Sequence, residues 1–286
     1  MGELQRRMEE DLRLKGFSPC TRKVYLLYCR KFASHYRRSP QELGEVEIRK
    51  FLLHLIQIEQ VSYGTYRQIL AALKFLYTVT MNREWEVSRI PFPKHQRRTL
   101  PGVLNNDQVL ALLQALRSPK HRAIMTSCYA AGLRISEACK LHVDDIDSNR
   151  MVIRVRQAKG CKERYTLLSP RLLEMLRCYW RIYRPTDWLF PGGTGAGHVS
   201  PDTVRQVFSK ARDEIGIGRW CTPHSLRHAF ATHLLDRGTD IAVIQALLGH
   251  ASIKTTSVYT HVTIDHIQKT ESPLDHLPPL RTEDPS

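Results

Sequence analysis

Residues 222–235 read TPHSLRHAFATHLL, and the rest of the chain is organised around this stretch. Pro223 has no N–H to lose in a first helical turn, and Thr222 before it supplies an N-cap oxygen, so a helix starts here. Leu226, Phe230, Leu234 and the alanines recur at helical spacing and form the core-facing side, while His224 and Arg227, three apart, share another face. An imidazole and a guanidinium at a helix N-terminus suit an oxyanion or a phosphate, because free N–H groups and the helix dipole add to the arginine fork. Two other readings stay open. His224 and His228 at i, i+4 have metal-pair spacing, although no HExxH glutamate or evident third ligand accompanies them, and a polar face that is only solvated explains the same residues.

Working outward, residues 130–141 read AAGLRISEACKL: Gly132 ends one helix, Arg134 sits where the next begins, and Glu137 three residues on can steady that arginine. Incidental surface pairs share that spacing. MVIRVR (151–156) and ERYTLL (163–168) are extended runs joined by AKGCK, which predicts a β-hairpin with Lys159 at its tip, able to reach into a groove or simply be solvated. Residues 247–262 read LLGHASIKTTSVYTHV; Gly249 ends a helix, His250 follows, and Tyr259 lies nine residues on, either a nucleophile or a tyrosine satisfied by one hydrogen bond. Two arginines, a lysine, two histidines and a tyrosine are an inventory suited to a pentavalent phosphate and need no metal or other cofactor.

The whole chain of 286 residues carries 43 Lys and Arg against 28 Asp and Glu, a net +15, with a pI near 9.7. Residues 1–100 and 101–270 each hold +9 and residues 271–286 hold −3, so two consecutive bodies are basic in equal measure. That points to a polyanion, nucleic acid before an anionic membrane surface. A composition 42% hydrophobic and 25% charged, with mean hydropathy −0.35, excludes a disordered chain, and no run approaches a membrane span or a signal peptide, so a cytoplasmic address is expected. Seven cysteines, odd in number and without CxxC, argue against a disulfide framework or a zinc ribbon.

Residues 1–90 read as four short helices. Leu4, Met8 and Leu12 mark the first, Val24, Leu27, Tyr28 and Phe32 one face of the second after Ser18-Pro19, and Ser39-Pro40 repeats the start signal before a third at 46–58; Tyr66 to Tyr77 gives the fourth. Proline-rich 91–103 is a linker. Residues 104–270 hold helices from Asn105 or Asn106, at 119–131, 170–184, 201–216, 223–237, 240–248 and 252–260, besides the hairpin. The acidic, proline-containing tail 271–286 cannot sustain a long helix.

The four boxes AAGLRISEACKL, KGCKER, TPHSLRHAFATHLL and LGHASIKTTSVYTHV, in order and spacing across most of 104–262, resemble the tyrosine recombinases of the phage-integrase superfamily, and most of all its compact Xer-like branch. The N-terminal body is similar to that family's SAM-like core-binding module. The resemblance implies a mainly α fold with a small β-hairpin or sheet, two domains forming a C-shaped clamp on double-stranded DNA, and site-specific cutting and rejoining without metal or ATP. It implies Arg134 and Arg227 clamping the scissile phosphate, Lys159 protonating the leaving 5′-oxygen, His224 assisting proton transfer, His250 donating a further hydrogen bond, and Tyr259 attacking to give a 3′-phosphotyrosyl link, with Glu137 in a supporting position. It further implies a homo-oligomer, two protomers per duplex and a synaptic tetramer, with a second recombinase as partner in some relatives, no membrane, and a nucleoid-associated location. No added arm-binding domain and no large insertion between Lys159 and His224 are expected. A DNA-binding relative without chemistry, a type IB topoisomerase and a membrane-surface protein are the competing classes; the filled reactive positions and the N-terminal module favour recombination.

Overall fold

The computed structural model describes residues 2–83, 102–158, 162–193, 197–249 and 270–278. It is mainly helical and divides into two compact units, Met1–Thr99 and Leu100–Ser286.

The first unit contains α1 (Gly2–Leu14), α2 (Pro19–Tyr36), α3 (Glu45–Gln57) and α4 (Tyr63–Phe75). Ser18 and Ser62 cap α2 and α4, each hydroxyl accepting the N–H three residues on at 3.2 Å. The third helix, expected at 46–58, spans Glu45–Gln57, opening where the Gly44 N–H donates to Glu47 Oε2 at 2.8 Å; the Ser39-Pro40 start signal itself makes a separate tight turn at Pro40–Glu42. α2 buries Leu26, Cys29, Phe32 and Ala33, while Leu27, expected on the inner face, is exposed. The small Cys29 and Ala33 explain the rotation, since they let α2 approach α4 until the Cys29 thiol reaches the Ala72 carbonyl at 3.7 Å. Phe32 and Phe51 meet edge-on, centroids 5.2 Å apart. After α4 the chain widens into a π turn over Leu76–Thr80, and the buried Tyr77 hydroxyl there donates to the carbonyls of Pro40 and Leu43.

The second unit holds α5 (Asn106–Ala115), α6 (Pro119–Ala130), α7 (Ile135–Cys139), β1 (Ile146–Asp147), β2 (Val152–Ala158), β3 (Lys162–Leu167), α8 (Pro170–Tyr183), α9 (Pro201–Glu214), α10 (Pro223–Asp236) and α11 (Ile241–Leu248). Asn105, not Asn106, caps α5: its side chain accepts from the Gln108 N–H while the Gln108 side chain accepts from its own. Every residue from Ala123 to Ala130 is buried, which makes α6 the central helix, packed by α7, α8 and α10. The expected hairpin is present, and β1, a two-residue strand that was not expected, extends it to an antiparallel sheet β1-β2-β3 with Val155 opposite Arg164 and Ile153 opposite Thr166. Ile153 and Val155 face the core; Arg154 and Arg156 both donate to Asp145, a carboxylate only 1% exposed.

Residues 270–278 form a strap with one 3₁₀ turn, Pro273–His276, and no long helix. Leu274 and Leu277 join this unit's core, the Ser272 hydroxyl donates to the Ala130 carbonyl at 2.8 Å, and the Arg171 guanidinium donates to the carbonyls of Leu274, Leu277 and Pro278. Most of the expected linker 91–103 and the expected helix at 252–260 lie outside the described residues. No helix among the described residues is long and apolar enough to cross a membrane.

Candidate phosphate-binding site

The site grows from the turn between α6 and α7. Gly132 adopts φ +61°, and a Cβ built there would lie 2.6 Å from the Phe230 ring and 2.9 Å from Leu248, so the turn accepts no side chain. Elements remote in sequence hold its carbonyls. Ser272 takes that of Ala130, Thr166 on β3 that of Ala131, and Arg227 on α10 that of Gly132. Arg134 then caps α7, with Glu137 three residues into the helix accepting the Arg134 backbone N–H at 2.9 Å and its Nη1 at 2.6 Å. The expected Arg134–Glu137 pair is therefore a built feature of the turn, not an incidental surface contact.

Glu137 also receives Arg164 Nη2 at 2.9 Å and lies 3.6 Å from Arg227 Nη1. Burial pushes its carboxyl up, but pairing with Arg164 and Arg134 more than reverses this and leaves it below the usual carboxylate range. Three guanidiniums facing one carboxylate leave a surplus of positive charge, the condition for binding an anion.

α10 departs from the sequence reading in one respect. Arg227, placed with His224 on a polar face, is only 2% exposed. Its Nη1 and Nη2 donate to the Gly132 and Leu248 carbonyls, each at 2.5 Å, while its buried Nε has no partner among the described residues. Burial and the nearby Arg134 push its pKa down to about 10, which keeps it charged at neutral pH. Thr222 does precede the helix, although its part is played by its N–H, which donates to Ser225 Oγ at 3.0 Å. His224 lies exposed in the first turn; partial burial, Arg227 and Arg134 hold its imidazole below its ordinary pKa, hence neutral at pH 7. Among the described residues no three His, Cys, Asp or Glu side chains come together as metal ligands.

The structure thus brings Arg134, Glu137, His224 and Arg227 to one place. Lys159, His250 and Tyr259 lie outside the described residues; the chain enters Lys159 from β2 and enters His250 directly from the left-handed Gly249 that ends α11. Arg164 is the residue that sequence reasoning missed. Strand parity in the sequence does not mark it, because Thr166, Leu167 and Leu168 are all buried; the register that sets Arg164 opposite the core-facing Val155 places it inward.

Residues 102–266 match the Phage integrase family, and residues 4–87 match the Phage integrase, N-terminal SAM-like domain. The chain is 44% identical over its full length to a Sinorhizobium fredii protein named as an integrase/recombinase, covering 93% of that relative. It is 33% identical to tyrosine recombinase XerA of Thermococcus onnurineus, over 95% of each chain. Its fold matches the integrase of transposon Tn1549, solved in complex with circular intermediate DNA, with a TM-score of 0.66 at 18% identity over 93% of this chain and 97% of that one. The turn that presents Arg134, the buried Arg227 beside it and these relationships have one conclusion: the chain belongs to the Phage integrase family, and is a tyrosine-type site-specific DNA recombinase of the compact Xer-like branch.

Proposed function

We propose that Arg134 and Arg227 clamp the scissile phosphate of double-stranded DNA, with Glu137 orienting both, and that strand exchange proceeds through a covalent 3′-phosphotyrosyl intermediate on Tyr259. The observation that carries this reading is the convergence of the two arginines on Glu137, with the buried Arg227 Nε left without a partner among the described residues. A buried donor is costly unless satisfied, and a phosphate oxygen is an acceptor suited to a charged Nε–H. In this reaction the Tyr259 oxygen attacks phosphorus, the bond to the 5′-oxygen breaks, and Lys159 gives that oxygen its proton. His224, neutral in the free protein, takes up the tyrosine proton, and His250 donates to a non-bridging oxygen. Charge grows on those oxygens in the transition state, where guanidinium donors in place beforehand are worth about 10²–10³ in rate each. Water attack is not needed for resealing, because a free 5′-hydroxyl reverses the same step and the bond energy is retained.

Two basic units with +9 in each of residues 1–100 and 101–270 support placing duplex DNA against both, with domains at 1–90 and 104–270 joined by a linker at 91–103. We place two protomers on each duplex and four in the synapse, with a second recombinase admitted as partner, acting on nucleoid DNA in the cytoplasm.

Covalent trapping tests the chemistry. Nicked duplexes selected from a randomised pool by binding to the protein are incubated with wild type and Tyr259→Phe, and adducts are resolved on a denaturing gel. Wild type gives an adduct that Tyr259→Phe does not. An adduct surviving in Tyr259→Phe, or none in wild type despite binding, refutes the proposal.

A further inference from the structure

Arg164 stands at the junction of three elements. Its Nε donates to the Leu247 carbonyl at 3.0 Å, next to the Leu248 carbonyl that Arg227 holds, so the two arginines grip consecutive carbonyls at the end of α11, immediately before Gly249 and His250. Its Nη2 donates to Glu137 Oε2. Its backbone is β3, which pairs with β2 and follows Lys159 by three residues in sequence. The side chain is 9% exposed, and a Cβ on Gly249 would lie 2.6 Å from its Cδ, so the residue after α11 is kept bare to admit it.

The distances at Glu137 say what this arginine does there. Oε1 is taken by Arg134 Nη1. Oε2 is shared between the Arg134 backbone N–H, Arg164 Nη2 and, at 3.6 Å, Arg227 Nη1. Without Arg164 the buried Oε2 would lose its one direct guanidinium bond, and the nearest replacement is Arg227, which would be drawn from 3.6 Å to contact. A guanidinium satisfied by Glu137 is a weaker donor to anything else.

We propose that Arg164 is a positioning residue for strand cleavage: it saturates Glu137 Oε2, so that Arg227 is not drawn onto the carboxylate and keeps its charge for the phosphate, and it fastens β3 to the end of α11. It acts through Glu137 and the Leu247 carbonyl. The inference rests on the reading of Arg134 and Arg227 as the phosphate clamp.

The test uses the full chain and the nicked duplexes selected above, with Arg164→Ala, Arg164→Lys, Glu137→Gln, the double variant Glu137→Gln/Arg164→Ala, and Arg134→Ala as control. Adduct formation is followed in single turnover across DNA concentrations, at a temperature where each variant is shown to be folded. The rate at saturating DNA falls about 10- to 100-fold in Arg164→Ala, while the half-saturating DNA concentration changes by less than about threefold. Arg164→Lys recovers part of the rate, because an ammonium still pairs with Glu137 but cannot also reach Leu247. The double variant is slower than Glu137→Gln alone by no more than the part of the rate that Arg164→Lys fails to recover, since with no carboxylate to saturate only the Leu247 contact is left to lose. A purely structural arginine gives the opposite pattern, with losses that multiply in the double variant, and that result overturns the proposal. So does a wild-type rate in Arg164→Ala while Arg134→Ala is inactive. Cleavage by Arg134→Ala at the wild-type rate instead removes the clamp reading, and this inference falls with it.

Discussion

Substituting Gly132 with alanine perturbs the turn on which the site is built. At φ +61° an alanine costs about 1–2 kcal/mol in backbone strain. Its Cβ would also lie 2.6 Å from two Phe230 ring carbons and 2.9 Å from a Leu248 methyl, all within the packed core, and overpacking of this kind costs about 1–3 kcal/mol. The sum is about 2–5 kcal/mol, which in a unit of this size lowers Tm by roughly 5–15 °C. Tryptophan fluorescence is a suitable readout, because three of the four tryptophans (Trp180, Trp188 and Trp220) lie in this unit. The same substitution moves the Gly132 carbonyl that Arg227 holds, so adduct formation slows even at temperatures where the variant is folded. A Tm within 2 °C of wild type, on the order of 1 kcal/mol or less, refutes the steric argument. A destabilised variant that forms adducts at the wild-type rate refutes the coupling between turn and clamp.

Two further outcomes concern protons. Because the Glu137 carboxyl titrates below its ordinary range, its pairing contributes stability that is fully present above the unfolded-state pKa near ~4.3 and is lost as pH falls through the lower folded value; Glu137→Gln therefore lowers stability at neutral pH and flattens the acid limb of the stability profile, and a limb unchanged in urea titrations across that range contradicts the assignment. His224 is held below its ordinary value by burial, Arg227 and Arg134, so its imidazole resonances titrate below pH ~6.5 in the free protein and move upward when duplex DNA brings a phosphate beside it; a free-protein value above 6.5 by NMR would sink the electrostatic account of the site.

Much of the second unit was legible because its punctuation is chemical. Pro170, Pro201 and Pro223 each start a helix one residue after a Ser or Thr, and Gly132 and Gly249 stop helices with positive φ, as only residues without a Cβ do readily. Arg227 was misplaced for an instructive reason. The sequence reading set it with His224, three residues earlier, on a face apart from Leu226, Phe230 and Leu234; Arg227 nonetheless lies three and seven residues before Phe230 and Leu234, and the carbonyls of Gly132 and Leu248, distant in sequence, let its guanidinium be buried there. α2 shows the complementary limit. Two stripes of similar hydrophobicity run along it, and the choice between them was made by how closely Cys29 and Ala33 let a neighbouring helix approach, which no single-helix pattern contains. Strand β1 is two residues long, too short for any alternation to register.

The turn from Ala130 to Arg134 has a consequence for how the enzyme comes into being. The partners of its three consecutive carbonyls lie 142, 35 and 95 residues away along the chain. Each of these contacts closes a long loop, whose entropy the bonds must offset. The arginine pair is therefore assembled only when β3, α10 and the Ser272 strap have all arrived. In a chain where those contacts have not formed, the proposed clamp has nothing to hold it in place.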